Sequence, residues 1–309
     1  MKKMILCIIT VSTVLFLGCK QAGSDVSNAQ AVAKMEVGKP VFVANNGFNQ
    51  YWYAGKAELS SFDYTINRYD ESRTGYAVMI FVTEDLSKTK QVKLDNPAAA
   101  GNDRVPVLKL NAIQRFQTGI YDYSLMSSLF TPVDIQNAPH SLKLTTTVQD
   151  WCGHVFSQLN LTDKGYHVSQ YSYFETEGDK IADIEQGMLE DEIFTRLRIN
   201  PQSVITQSVK MIPNLTYTRL RHKPIAPLNA SVAIKDGEKG MKICIVTYPD
   251  IKRRLEVAFE AAFPYKITGF KEYDGEKVMS EARLRKSVMS AYWEQHDLKS
   301  DPLRTALGL

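Results

Sequence analysis

Cysteine is scarce in this 309-residue chain, which holds four, together with five histidines and three tryptophans. No two cysteines stand as Cys-x-x-Cys, and His140, His154, His167, His222 and His296 show no metal-ligand spacing, so ribbon-type zinc sites and thioredoxin-type redox motifs are excluded. A Gly-rich phosphate loop, a His-Glu-x-x-His helix and a Gly-x-Ser-x-Gly elbow are also missing, and no cofactor or metal is expected. The longest apolar run has 14 residues, Met4 to Leu17, short of the ~20 that cross a bilayer as a helix. Charge of one sign is lacking too: 37 basic against 34 acidic residues leave +3. The densest basic patches, Lys252-Arg253-Arg254, Arg219/Arg221/Lys223 and Arg283/Arg285/Lys286, are too short to gather a phosphate backbone, and nucleic acid is not an expected partner. What remains is an ordinary globular composition, 44% hydrophobic, 23% charged and 10% aromatic.

The first distinctive feature is the N-terminus. Lys2 and Lys3 precede the apolar run, which ends in Gly18-Cys19. A basic start, a short apolar stretch and a small residue before the boundary describe a secretory signal. Leu15-Phe16-Leu17-Gly18-Cys19 resembles a bacterial lipobox, with Phe16 where Leu is usual, and implies that Cys19 is lipidated and becomes the first residue. Two or three acyl chains hold a protein stably on a membrane without a spanning helix. The segment from Lys20 to Lys34 is small, polar and free of aromatics, the composition of a tether. Lys20 stands where Asp commonly retains lipoproteins in the inner membrane, so the outer membrane is favoured and the leaflet is left open. The expected organisation is a signal peptide over 1–18, a lipidated tether over 19–40 and a single β-rich domain over 41–309. Loss of Lys2 and Lys3 leaves 35 basic against 34 acidic residues.

Cys7 leaves with the signal and Cys19 takes lipid, so Cys152 and Cys244 remain in an oxidising compartment. A bridge between them is expected, closing 92 positions and constraining the unfolded chain by about 4–5 kcal/mol on the chain-entropy model. The competing reading makes Cys152 a free nucleophile.

From Tyr51 onward, β-branched and aromatic runs alternate with turn residues. Tyr76–Val82 is continuously apolar, as in a strand covered on both faces. Leu142, Leu144, Thr146 and Val148 sit at period two, as do Val168/Gln170/Ser172 and Met241/Ile243/Ile245. Asp274-Gly275 marks a hairpin between 267–272 and 277–282. Arg254–Phe263 fits both a strand and a helix face, and its neighbours favour a strand. On the order of ten strands are expected, antiparallel because no βα alternation occurs. Amphipathic helices are expected over Asp183–Arg198 and Ala282–Asp297. The fold expected is therefore mainly β, or α+β: a large curved antiparallel sheet partly wrapping an amphipathic helix, with a C-terminal helix.

Three constellations are chemical candidates. Read as a strand, Asp150-Trp151-Cys152-Gly153-His154 puts Asp150, Cys152 and His154 on one side, the start of a thiolate triad. Residues two apart on a strand lie ~7 Å apart, however, beyond direct hydrogen bonding, so a strand carrying half a disulfide is favoured. Glu175, Glu177, Asp179, Asp183, Glu185, Glu190, Asp191 and Glu192 form an acidic run that reads as a solvated helix N-terminus and its lead-in rather than a calcium loop. Tyr51, Trp52 and Tyr53, with Phe42 and Phe48 nearby, offer stacking surfaces for a sugar or apolar ligand, or a cap on the sheet, and Trp151 joins them as a candidate contact.

Several stretches together, Tyr51–Ser60, Val82–Gln91, Val107–Asn111, Asp150–His154, Ser290–Trp293 and Leu307-Gly308-Leu309, resemble a family of uncharacterised bacterial envelope lipoproteins, over nearly the whole chain after the signal. Some members are labelled septum formation inhibitor Maf. The nucleotide-hydrolysing Maf proteins open with Ser-x-Ser-Pro-Arg-Arg, which this chain lacks. The resemblance implies an envelope location and no established activity. The expectation is a membrane-anchored, non-enzymatic module for an unidentified envelope ligand or protein. The alternative is a hydrolase or acyl/thiol transferase using Cys152 and His154, with Asp150 or a distant carboxylate orienting the imidazole.

Overall fold

Period-two alternation continues through far more of the chain than the clearest runs suggest, and among the described residues it builds fifteen strands in one sheet. The structure is a computed structural model in which residues 46–309 are described. The lipobox, Cys19 and the tether lie outside the described residues.

Eight strands form a continuous meander: β1 (Ala57–Arg68), β2 (Glu71–Ser87), β3 (Arg104–Thr118), β4 (Tyr121–Pro132), β5 (Lys143–Gln149), β6 (His154–Thr162), β7 (Gly165–Ser172) and β8 (Lys180–Glu185). The second series comprises β9 (Met188–Leu189), β10 (Thr206–Ile212), β11 (Leu228–Asp236), β12 (Met241–Tyr248), β13 (Arg253–Glu260), β14 (Ile267–Asp274) and β15 (Lys277–Ser290). β1 pairs with β15, which joins the two series in the order 8-7-6-5-4-3-2-1-15-14-13-12-11-10-9. Every neighbouring pair is antiparallel except the short β9–β10 pair.

An up-and-down order puts alternate connections at opposite ends. The β1–β2, β3–β4, β5–β6, β7–β8, β12–β13 and β14–β15 connections share one end, here the rim. Glu185 and Met188, on the two edge strands, are separated only by Gln186 and Gly187, a span of at most ~11 Å. The sheet therefore curls until its edges meet at a seam. Gly187 sits tightly there, because a Cβ would lie 2.9 Å from the Lys210 carbonyl oxygen.

The concave face carries the core. Phe62, Tyr64, Met79, Phe81, Leu108, Leu110, Leu125, Leu144, Leu159, Val257 and Phe259 belong to one buried cluster with residues of α2 (Glu192–Ile199). A surface helix shows one apolar stripe, but every residue of α2 is buried, including Glu192, Arg196 and Arg198. It lies inside the sheet, with Glu192 at its start held by Ser141 of the β4–β5 connection and Arg198 near its end by Glu58 at the start of β1. The short helix α3 (Leu215–Leu220), capped by the Asn214 side chain on Thr216 N and Tyr217 N, enters at the rim. The aromatics of α1 (Asn46–Trp52) join the same cluster. Outside the sheet, the C-terminal segment bearing α4 (Asp301–Ala306) covers Ala57, Leu59 and Val82 with Tyr292 and Leu307.

The sheet wrapped around a helix and the C-terminal helix are thus present, but three sequence expectations change. The expected helix over 183–198 is shorter: β8 and β9 occupy 180–189, and the helix starts at Glu192. The one expected over 282–297 is largely β15, and the C-terminal helix lies later, at α4. Leu284 and Val288 had the spacing of a helix face because Arg285 is an extra residue in β15. Ser61 pairs with Lys286 and Phe62 with Leu284, and this bulge turns Leu284 to the main core and Val288 to the outer cluster. On β12 the buried set is Cys244, Val246 and Tyr248, while Met241, Ile243 and Ile245 are only half-buried. Arg254–Glu260 is strand, with Leu255, Val257 and Phe259 inward. Among the described residues no helix is long and apolar enough to cross a membrane.

Candidate functional site

Inward-facing positions are buried nearly everywhere in the sheet, and the exception marks the site. On β8 the inward side chains Lys180 and Ala182 are exposed, and Ile184 is only half-buried. The seam closes where Gly187 lies against Lys210 but leaves the lumen unfilled beside β8. The resulting cleft, about 320 Å³, has Val168 and Gln170 of β7, Lys180, Ala182 and Ile184 of β8, and Pro224 and Ile225 beyond α3 along its walls. Thr176, Glu177, His222 and Lys223 stand at its rim.

Three elements fix that rim. Glu177, in the β7–β8 loop, accepts from Ser172 Oγ at 2.8 Å, and its Oε1 lies 2.7 Å from His222 Nδ1 and 3.5 Å from Arg219 Nη1. Arg219 stacks over the Phe174 ring at 4.1 Å, and the His222 ring meets Phe174 edge-on at 5.4 Å. Tyr173 packs edge-on against Phe174 at 5.2 Å. Its ring also lies against Gly153, where a Cβ would come within 2.6 Å of it. The residues at 150–154 thus support the outer wall of the cleft.

They do so as a turn, not as the expected strand. β5 ends at Gln149 and β6 begins at His154, and these two residues pair across the hairpin. Asp150 Oδ1 accepts from Cys152 N at 2.7 Å and Gly153 N at 3.3 Å, an Asx turn. The Asp150 carboxylate is therefore turned to backbone amides and does not orient His154. Cys152 and His154 are exposed, and neither side chain is hydrogen-bonded. Trp151 is 69% exposed at the hairpin tip and is not among the residues lining the cleft.

The expected bridge is not formed: Cys152 and Cys244 are both free. The reason is placement, since Cys152 sits on an exposed rim turn while Cys244 points into the core from β12, paired between Ile234 and Val257. Burial pushes the Cys244 thiol up to about 12, so it stays protonated and unreactive.

Tyr51, Trp52 and Tyr53 form a plug in the core rather than an open stacking surface. Trp52 is buried against Phe81, and the Arg198 guanidinium lies 4.8 Å from its ring centre. Tyr51 donates to Glu58, and burial together with that carboxylate holds its hydroxyl proton well above the ordinary range. Burial, and then Asp85, raise Tyr53 to about 12.

The acidic run divides. Glu175, Glu177 and Asp179 lie in the β7–β8 loop, and Asp183, on β8, lies 2.7 Å from His167. Glu190, Asp191 and Glu192 are buried rather than solvated, because α2 starts inside the curled sheet. Arg253 bonds Glu190 through both terminal nitrogens and Glu272 at 2.7 Å. Glu192 accepts from Ser141 N at 3.1 Å. Asp191 Oδ1 accepts from Asn214 Nδ2 at 2.8 Å, whereas Oδ2 has no hydrogen-bond partner and the residue lines a cavity of about 40 Å³ with Gln114, Ser127 and Thr216. Burial, then the neighbouring Glu190, raise Asp191 to about 7. Among the described residues, no three His, Cys, Asp or Glu side chains are grouped to hold a metal ion.

Comparison with solved structures finds likeness at low sequence identity. The chain is similar to the crystal structure of a beta-barrel-like protein of domain of unknown function DUF1849 from Brucella abortus, with 10% sequence identity and a TM-score of 0.47, over 76% of this chain and 98% of that one. No family model matches the sequence, and no curated protein matches it.

Proposed function

We propose that this chain is a bacterial envelope lipoprotein, anchored through acyl chains on Cys19 in the outer membrane, whose β-module binds a small ligand without chemical turnover. The observation that carries the binding reading is the seam cleft: inward-facing β8 residues line open space instead of core. Its volume of about 320 Å³ falls within the range of small-molecule sites. The anchor rests on Lys2-Lys3, the 14-residue apolar run and Leu15–Cys19. A thiol hydrolase or transferase is disfavoured because Asp150 caps the turn and Cys152 and His154 share no hydrogen bond. A nucleophile needs its base within about 3 Å.

Native mass spectrometry of the full chain released from its own envelope tests the binding reading. A small-molecule adduct is expected on the wild type and should be lost in Ala182→Trp, whose indole fills the cleft from an exposed edge position. An adduct retained in Ala182→Trp, or none on either protein, would overturn the seam cleft as the binding seat. The same preparations test the anchor: Cys19→Ala should leave the membrane fraction, and undiminished retention would refute lipidation there.

A further inference from the structure

The charges around the seam cleft do not cancel. At its rim, Glu177 is already shared by His222 and Arg219. Asp183, the nearest carboxylate on β8, alternates to the outer face and lies against His167. The Lys180 and Lys223 side chains, by contrast, line the cleft and take part in no ion pair or hydrogen bond. Lys180 sits on β8 opposite Gln170, and Lys223 follows His222 in the segment leaving α3, so the two ammonium groups come from different walls of the cleft. Below them, Val168, Ala182, Ile184, Pro224 and Ile225 make an apolar floor.

Resting on the reading of this cleft as a binding seat, we infer that its ligand is an amphiphilic anion: a carboxylate or phosphate head joined to a compact apolar body. The head would take charge-assisted hydrogen bonds from Lys180 and Lys223, which otherwise face only water. The body would cover the floor, removing apolar surface from water. An uncharged molecule of the same shape gains only the second contribution. A cation meets two uncompensated ammonium groups, since the one carboxylate that lines the cleft, Glu177, is occupied. Gln170 and Thr176 add neutral hydrogen-bonding groups beside the head position.

The test uses the full lipidated chain in lipid nanodiscs, with 1-naphthoate as anionic probe and 1-naphthylmethanol as its neutral counterpart. Hydrogen exchange of peptides over 180–185 and 222–225 reports occupancy of the cleft, undisturbed by probe that partitions into lipid. Naphthoate is expected to protect both segments, half-saturating at about one-tenth the concentration of the alcohol. In the Lys180→Gln/Lys223→Gln double variant that tenfold preference should vanish, while protection in β2 and β3 stays as in the wild type and shows that the fold is kept. Equal protection by both probes, or an unchanged preference in the double variant, overturns the anion class and leaves the binding seat standing. No protection by either probe also overturns it, and the adduct measurement on Ala182→Trp then decides separately whether the cleft binds anything.

Discussion

Asp191 shows how one residue sets a pH response for the whole fold. Its carboxyl is buried beside Glu190, one oxygen is held by Asn214 and the other has no hydrogen-bond partner, so the proton is kept until about pH 7. An unfolded Asp titrates near 3.9. Between about 4 and 7 the native state therefore binds more protons than the unfolded state, and Asp191's contribution to stability falls as pH rises, the loss being complete above about 7. Asp191→Asn keeps an acceptor for Asn214 and removes the ionisation. Urea denaturation should find the two proteins equally stable near pH 4 and the variant more stable at pH 8, by on the order of a few kcal/mol. A constant difference across that range would mean that Asp191 titrates normally. Nothing in the sequence separates Asp191 from the seven other carboxylates of its run, because the reason for its state is a sheet that curls around it. The same holds for the cleft. Cys152 and His154 drew attention by residue type and turned out to shape a turn. Glu177 and His222, 45 positions apart, meet only through the fold. Lys180 and Ala182 occupy inward positions where other strands carry Leu, Val or Phe, and that orientation follows from the pairing of β8 with β7.

Elements, more than single residues, explain how so charged a helix stays inside the protein. Eight residues make too short a helix to be stable alone, and α2 is held because the sheet supplies partners at both its ends. At the base, Arg198 bonds both oxygens of Glu58 on β1 at 2.6 Å, donates to the Pro264 carbonyl at 2.8 Å and stacks on Trp52. Burial pushes the Glu58 carboxyl up, but the Arg198 charge and hydrogen bonds outweigh it and hold the group below the ordinary carboxylate range. Removing one partner of such a pair strands the other charge and costs about 3–5 kcal/mol, whereas replacing both with apolar residues is often neutral. Arg198→Met should accordingly lower stability by that amount, and Glu58→Leu added to it should restore most of the loss, read from denaturation midpoints of the two variants. A double variant no more stable than the single one would show that the pair's energy lies elsewhere, in the Pro264 and Trp52 contacts. At this scale the antiparallel strands were readable from period two and from Asp274-Gly275. The bounds of α2 were not, although Gly187 in the middle of the expected helix was a warning. The bulge at Arg285 hid β15 because an extra residue in a strand can mimic helical spacing.

For the molecule as a whole, a fifteen-stranded sheet curled to meet itself solves the edge problem only in part. β2 and β3 are paired on both sides and bear buried residues on their inward faces. β8 pairs with β7 alone, its inward Lys180 and Ala182 are exposed, and its outward Ile181 is 67% exposed. Charged Lys180, Asp183 and Glu185 guard this open edge against pairing with a second sheet. The same features leave little burial to hold the strand down, and segments with few apolar contacts open at a small fraction of the global free energy. Native-state hydrogen exchange should therefore show the amides over 180–185 exchanging orders of magnitude faster than those of β2 and β3, in a local opening insensitive to mild denaturant. Exchange from β8 at the rate of the central strands would mean that the seam is closed in solution and the cleft with it. Local opening at the seam would admit a ligand without unfolding the core around α2, because β8 can move while the paired strands stay in register. A ligand that spans from the floor of β8 to Lys223 would in turn slow that exchange, so the least stable strand of the sheet is also the one whose protection reports binding most directly.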